Sequence, residues 1–332
     1  MSIRSHPQRV LLLGATGTIG RATARALLRR GHEVSCLVRP GATAGGGSDA
    51  ARGLPAEADL RPGDVRDPQS VARDGLRGER FDAVVSCLAS RTGAPADAWA
   101  IDHLAQRHAL HAARAAGVGR FVLLSAICVQ KPRLAFQQAK LAFEAELQAS
   151  GLEWTIVRPT AFFKSLSGQV ARVKQGKPFV VFGDGTLTAC KPIADDDLGD
   201  YLAGCLDDPS RIGRILPIGG PGPAITPRDQ ALGLFELLGR PMRLRHVPVG
   251  LLDGIAGVLG AAGRVVPALA DKAEFARIGR YYATESMLVW DEAAQRYDAQ
   301  ATPSAGTQTL FDHYARLIAG QARHERGDHA VF

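Results

Sequence analysis

The sequence predicts an α/β fold, a doubly wound parallel sheet with helices on both faces and a smaller, mainly C-terminal, substrate-covering portion. Three observations lead there. Short apolar, β-branched runs alternate with longer Ala/Leu/Arg-rich stretches through the first half, and strands alternating with helices build parallel sheets. The first apolar run leads directly into GATGTIG and then a helical pattern. After Pro159 the alternation loosens.

Val10–Leu13 is the first strand. Gly14, Gly17 and Gly20 then follow in G-x-x-G-x-x-G spacing, with Thr16, Thr18 and Ile19 between them, and a helix runs over Thr18–Arg30. Glycines there allow a tight turn and close backbone approach to a pyrophosphate, and the helix N-terminus offers N–H donors and positive partial charge. This is the signature of a Rossmann-like, dinucleotide-binding unit. Glu33–Val38 is the second strand, and the glycine-rich stretch from Gly41 to Gly53 reads as a loop. A weaker strand is expected near Ala58–Arg61, followed by Phe81–Leu88, a helix over Asp97–Ala116, a strand over Arg120–Leu124, a helix over Leu134–Ser150 stopped by Gly151, and a strand over Trp154–Val157.

Beyond these, GKPFVVFGDGTLTACKPI reads as a hairpin turning at Gly183-Asp184-Gly185, ADDDLGDYLAGCL opens a helix with carboxylates in its first turn, and the chain from about 212 is strand and loop, then mainly helical. The expected division is 8–160 for the dinucleotide-binding domain, 161–320 for mixed segments that complete the sheet and cover substrate, and 321–332 for a tail. Pro248 to Ala270 is unusually apolar, interrupted by Asp253 and Arg264. It is either a helix packed on the core or lining an apolar pocket, or a segment touching a membrane surface.

The chain has 332 residues, 46% of them hydrophobic, with 40 basic against 33 acidic for a net +7. The mild excess suits anionic ligands, and no basic block interleaved with aromatics points to nucleic acid. Five scattered cysteines show no C-x-x-C spacing, which argues against a disulfide framework or zinc site and for a reducing cytoplasm. The opening residues lack the apolar core of a signal peptide, and no run is long enough to span a bilayer.

The second strand's ending selects the cofactor. Arg39 offers a charge-assisted fork for a 2′-phosphate where an acidic residue would prefer a free ribose hydroxyl, so NADPH is expected over NADH. In GDVRD, Asp64 either accepts from the adenine amino group or caps a loop. Ser86 and Leu88 end the fourth strand at the edge where dinucleotides lie, and Ser125 ends the fifth.

Lys140 sits four residues after Phe136, on one helical face. A tyrosine in the place of that phenylalanine would form a Tyr-x-x-x-Lys pair, whose hydroxyl protonates an oxyanion. Phe136 cannot donate a proton. Either the chain is not an enzyme, or its chemistry needs no such hydroxyl.

The glycine spacing, GDVRD, Ser125 and Lys140 together resemble the atypical short-chain dehydrogenase/reductases with NmrA-like and isoflavone-reductase-like members. VVSCLASRTG, FVLLSAICVQKPRLAFQQAKLAFEAEL, TIVRPTAFFKSLSGQV, FGDGTLTACKPI, LPIGGPG and IGRYYATESML are similar to the divinyl chlorophyllide or protochlorophyllide 8-vinyl reductases of chlorophyll and bacteriochlorophyll synthesis. The resemblance spans roughly 10 to 290. It implies reduction of the 8-vinyl group of a magnesium tetrapyrrole to ethyl with NADPH, in the cytoplasm or peripheral to a photosynthetic membrane.

Under it, Lys140 bonds the nicotinamide ribose and stabilises nearby negative charge. Lys131, Lys164, Tyr281, Tyr282 and water are the candidate proton donors. Phe162 and Phe163 either stack on the tetrapyrrole or fill the core, Lys164 and Arg280 are candidates for the substrate carboxylate, and Tyr281 for substrate contact. Cys128 reads as a small packed side chain, and His103, His108 and His111 as solvated helix residues. Two other readings stand beside this one. The first is a non-catalytic NADP-binding regulator or assembly factor, and the second a reductase of phenolic or terpenoid double bonds.

Overall fold

A computed structural model of the chain describes residues 6–40, 53–263 and 266–322. Seven parallel strands form the central sheet in the order β3-β2-β1-β4-β5-β6-β8. They are β1 (Arg9–Leu13), β2 (Glu33–Val38), β3 (Asp59–Pro62), β4 (Ala83–Ser86), β5 (Arg120–Leu124), β6 (Glu153–Pro159) and β8 (Arg214–Ile218). The order reverses between β1 and β4, and a ligand crevice opens at such a switch point beyond the strands' carboxyl ends.

The alternation of side chains explains the layers. In β1, Val10 and Leu12 point into one apolar cluster and Leu11 and Leu13 into the other, because successive strand residues face opposite sides. All four are fully buried, as expected for a parallel strand covered on both faces. Helices α1 (Thr18–Arg29) and α7 (Asp195–Gly204) cover the first face through Ile19, Leu27, Leu198 and Leu202. Helices α3 (Gln106–Ala115) and α4 (Ala135–Gln148) cover the second through Ala109, Leu110, Phe143 and Leu147.

The helix expected over Asp97–Ala116 is broken in kind. A short α2 (Pro95–Ala98) passes into a π-helical stretch, Trp99–Ala105, before α3 begins. The wider i→i+5 register inserts one residue per turn, and such bulges concentrate at functional sites. Here Asp102 within the stretch and Gln106 just after it are both buried.

The second half interleaves with the first, since α7 and β8 belong to the sheet unit. A separate apolar cluster gathers Phe163 of α5 (Phe163–Leu166), Val170 and Val173 of α6 (Val170–Lys174), Phe179 and Val181 of β7 (Phe179–Phe182), Leu234 and Phe235 of α8 (Pro227–Leu237), and Tyr314 of α11 (Leu310–Ile318). The expected hairpin at Gly183-Asp184-Gly185 is a correction. The turn forms, but β7 pairs in parallel with β9 (Leu244–Val247), and the chain after the turn is irregular. A turn signal shows where the chain reverses, whereas the pairing partner is set by which apolar strand the tertiary fold brings alongside. A true hairpin, β10 (Val289–Asp291) with β11 (Arg296–Asp298), falls in the stretch expected to be mainly helical.

Helices α9 (Gly250–Gly263) and α10 (Pro267–Thr284) form an antiparallel pair at the periphery, and α9 buries none of its residues completely. Most of the 41–53 stretch read as a loop, and most of the 321–332 tail, lie outside the described residues.

Candidate active site

The turn after β1 leaves no room for side chains. Gly14 adopts φ +73°, and a Cβ there would stand 2.6 Å from the carbonyl of Cys87 at the end of β4. One on Gly20 would stand 2.1 Å from the Gly14 oxygen. Helix α1 therefore starts against the switch point itself. Its N-cap, Gly17, supplies no side-chain cap and its first turn holds no carboxylate, so the leading N–H groups are left to an external anion. The cradle fits a dinucleotide pyrophosphate.

Lys164 joins this cradle, its Nζ donating to Thr18 Oγ1 at 2.9 Å. That placement adds a cation beside the N-terminus of α1. Thr16 turns its carbonyl to Arg21 Nε at 3.0 Å, and Ile19 packs into the sheet cluster.

Arg39 is exposed at the end of β2. Asp64 follows β3 and is engaged locally: Arg66 donates to both carboxylate oxygens, from its backbone at 3.0 Å and its guanidinium at 3.1 Å, and Ser70 Oγ accepts from the Asp64 backbone. The Arg66 hydrogen bonds, helped by the charges of Arg66 and Arg39, hold the Asp64 carboxyl below the usual range. Of the two readings of Asp64, these contacts are those of a loop cap.

Ser86 is fully buried and donates to Gln106 Oε1 at 2.7 Å, so its hydroxyl is turned into the protein and not toward the sheet edge. Gln106 also reaches the Leu88 carbonyl at 3.4 Å. The π-helical stretch thus leads into a residue that braces the end of β4.

Lys140, 9% exposed, donates to Asp102 Oδ1 at 2.8 Å, and Asp102 is itself 2% exposed. The other Asp102 oxygen, Oδ2, is buried with no hydrogen-bond partner among the described residues. One turn further along α4, Glu144 accepts from Ser125 Oγ at 2.5 Å and pairs with Arg158 of β6. Helix α4 thus carries two ion pairs a turn apart, Lys140 with Asp102 and Glu144 with Arg158, in which each carboxylate is buried against a cation and Arg158 alone is partly exposed. Isolated buried charges would be prohibitively costly there.

Phe136 lies on the same face of α4 and packs with Ile278 and Tyr281 in an apolar cluster. Tyr281, 4% exposed, donates to the Cys128 and Lys131 carbonyls at 2.9 and 3.1 Å, and burial pushes its pKa upward. It latches the 128–131 loop as a packed residue. Tyr282 points to Cys128 Sγ at 3.9 Å. Lys131 pairs with Glu285 at 3.0 Å and lies 3.9 Å over the Trp290 ring. Burial raises the pKa of the Cys128 thiol, which sits in the same apolar cluster.

Phe163, 3% exposed, is a core residue against His313 and the C-terminal cluster. It presents no face for stacking. Phe162 is only partly buried, at the edge of the sheet cluster. Arg280 pairs with Asp253 and ties α10 to α9 instead of facing the sheet edge. His103 bonds Glu146 at 2.8 Å and His108 the Val65 carbonyl at 3.1 Å.

Asp102, Gln106, Glu144 and Arg158 were not among the residues expected from sequence. Only Glu144 had a signal in the sequence. Gln137, Lys140 and Glu144 fall at i, i+3 and i+7, a polar stripe on the face of α4 that carries the apolar Phe143 and Leu147 toward the core.

A family model described as NAD(P)H-binding matches residues 14–209. The chain is 48% identical over 331 residues to the chloroplastic divinyl chlorophyllide a 8-vinyl-reductase of Oryza sativa subsp. indica, covering 97% of this chain and 82% of that protein. It is 30% identical to the photosystem II assembly factor Ycf39 of Guillardia theta, over 73% of this chain and 74% of that one. Among solved structures, the binary complex of leucoanthocyanidin reductase with NADPH from Vitis vinifera superposes with a TM-score of 0.67 at 19% identity, covering 94% and 99% of the two chains. That last likeness is one of fold.

Proposed function

We propose that this chain, which belongs to the divinyl chlorophyllide a 8-vinyl-reductase family, reduces the 8-vinyl group of a divinyl chlorophyllide or protochlorophyllide to ethyl with NADPH. The observation that carries the reading is 48% identity sustained over 97% of the chain, through both the sheet unit and the C-terminal segments.

The glycine turn and the N-terminus of α1 hold the pyrophosphate, with Lys164 and Thr18 beside it, and Arg39 takes the 2′-phosphate. NADPH supplies the hydride when bound. A hydride added to the terminal vinyl carbon leaves an electron pair conjugated with the macrocycle, so the charge spreads over the ring system. A proton then adds to the inner carbon, and the vinyl group has become ethyl.

No oxyanion forms in this sequence, which makes a tyrosine at the position of Phe136 dispensable. An apolar ring there suits an apolar substrate better than an unsatisfied hydroxyl would. Lys140, held by Asp102, places a fixed positive charge near the developing negative one and bonds the nicotinamide ribose. The reading includes transient contact with the surface of the photosynthetic membrane, where so apolar a pigment is found.

The test is anaerobic incubation of the purified protein with NADPH and divinyl chlorophyllide in dim light, followed by pigment separation and mass measurement. Monovinyl product heavier by two hydrogens, abundant with NADPH and scarce with NADH, is expected. A second reading, an NADP-binding assembly factor without turnover, is favoured by the likeness to Ycf39 and by Phe136. NADPH binding without product from either divinyl chlorophyllide or divinyl protochlorophyllide would select it.

A further inference from the structure

Helix α9 divides its surface by residue size. Its glycine side lies on α10 at near backbone distance: a Cβ on Gly263 would stand 2.8 Å from the Ala270 nitrogen, and one on Gly260 3.2 Å from Arg277. Leu252, Ile255 and Leu259, at i, i+3 and i+7, share a neighbouring face and turn with Phe275 and Ala276 of α10 into a cavity of about 500 Å³. Ile255 and Phe275 remain 41% and 42% exposed while lining it, so the cavity opens to solvent with an apolar wall. Leaving such surface wet costs about 25 cal/mol per Å² relative to covering it.

The opposite wall is the loop that carries Thr92 and Ala94. Between them Gly93, at φ +68°, passes so close to the site that a Cβ would stand 2.8 Å from Ile278 Cδ1 and 3.7 Å from Phe136 Cδ1. The cavity is thus one residue of backbone away from Phe136, which itself lies one helical turn from Lys140. Among the described residues its polar lining is confined to Thr92, Asp271 and Lys272.

We infer that this cavity seats the magnesium tetrapyrrole, with Phe275 against the macrocycle plane, Lys272 toward the substrate carboxylate, and the 8-vinyl edge directed past Gly93 to Phe136 and Lys140. The inference rests on the reading of the reaction given above. Concavity, the Lys272 cation and the closeness of the Gly93 backbone to Phe136 favour a flat anionic pigment over a lipid surface. Asp271 beside Lys272 weakens the pull on an anion, so apolar contact carries most of the binding.

Leu259→Trp fills the cavity, and Lys272→Ala removes its cation. Pigment affinity is read by the shift of the Soret band, turnover by monovinyl product, and integrity by NADPH affinity. The expected result is a KM and pigment Kd raised by roughly tenfold or more in Leu259→Trp, corresponding to about 1.4 kcal/mol, a smaller rise in Lys272→Ala, and unchanged NADPH affinity in both. Ile255→Trp is the second filling variant should Leu259→Trp fail to fold. Wild-type turnover with both tryptophan variants binding pigment as wild type does would overturn the seat and leave the reaction standing. A loss confined to binding of anionic vesicles would overturn the seat as well. Pigment binding that Leu259→Trp weakens, without any reduction by wild type, would keep the seat and remove only the reaction.

Discussion

Lys140 and Asp102 face each other at 2.8 Å with almost no access to water, so neither can be removed without stranding the other. Breaking a buried pair in this way costs about 3–5 kcal/mol. Asp102→Ala is expected to lower the melting temperature and turnover together. The double variant Asp102→Leu/Lys140→Met, which replaces the pair by apolar side chains, is expected to regain the stability but not the activity. Recovered turnover in that variant would remove Lys140 from the chemistry. Lys140→Met measured for rate alone should lose on the order of 10²-fold.

Arg39 makes a separate residue-scale claim. Loss of a charge-assisted hydrogen bond costs about 1.5–3 kcal/mol, so Arg39→Ala should weaken NADPH roughly 10- to 150-fold and leave NADH almost unchanged. Equal weakening of both cofactors by calorimetry would refute a 2′-phosphate role.

At the scale of elements, the 128–133 loop, α10 and the β10–β11 hairpin are knotted at Glu285. It pairs with Lys131 at 3.0 Å and Arg133 at 2.8 Å, and Tyr297 donates to it at 2.5 Å. Burial raises the Glu285 pKa, but the Tyr297 and Lys131 hydrogen bonds and the Arg133 charge outweigh it, and the carboxyl sits below its ordinary 4.5. A depressed folded-state pKa contributes stability that is present above the unfolded value and lost as pH falls through the folded one. Stability should therefore fall below about pH 4.5 partly through this knot. Glu285→Gln should be less stable than wild type at pH 7, with the gap closing in acid; a gap that is constant with pH in denaturant melts would show the knot to be uncharged in effect. The glycine turn is equally strict. Gly20→Ala puts a methyl 2.1 Å from the Gly14 oxygen, and NADPH affinity and melting temperature should both drop, because the contact is with backbone that cannot swing aside.

For the whole molecule, cofactor and fold are linked through the sheet edge. NADPH at a hundred times its Kd should stabilise the chain by about 2.7 kcal/mol, and NADH at the same concentration by much less. Thermal melts with each dinucleotide check this, and equal shifts would mean that the site does not discriminate. Among the described residues no helix is long and apolar enough to cross a membrane. The exposed apolar residues Leu251 and Val258 of α9 are the chain neighbours of Leu252 and Leu259, which line the proposed pigment cavity.

Local pattern was enough for the sheet strands, the glycine turn and the Phe136–Lys140 spacing, because each depends on residues near in sequence: alternation for strands, glycine for a tight turn, four-residue spacing for one helical face. The tertiary structure decided what depends on distant partners. Asp102 meets Lys140 across 38 positions and became visible only once the π-helical stretch turned it inward. Lys164 reaches Thr18 across 146, and β7 found β9 instead of the residues after its own turn. Tyr281, Phe163 and Arg280 carry functional-looking chemistry in sequence but are consumed by packing, latching and a helix-to-helix ion pair, since burial and pairing are properties of the assembled chain and leave no local trace.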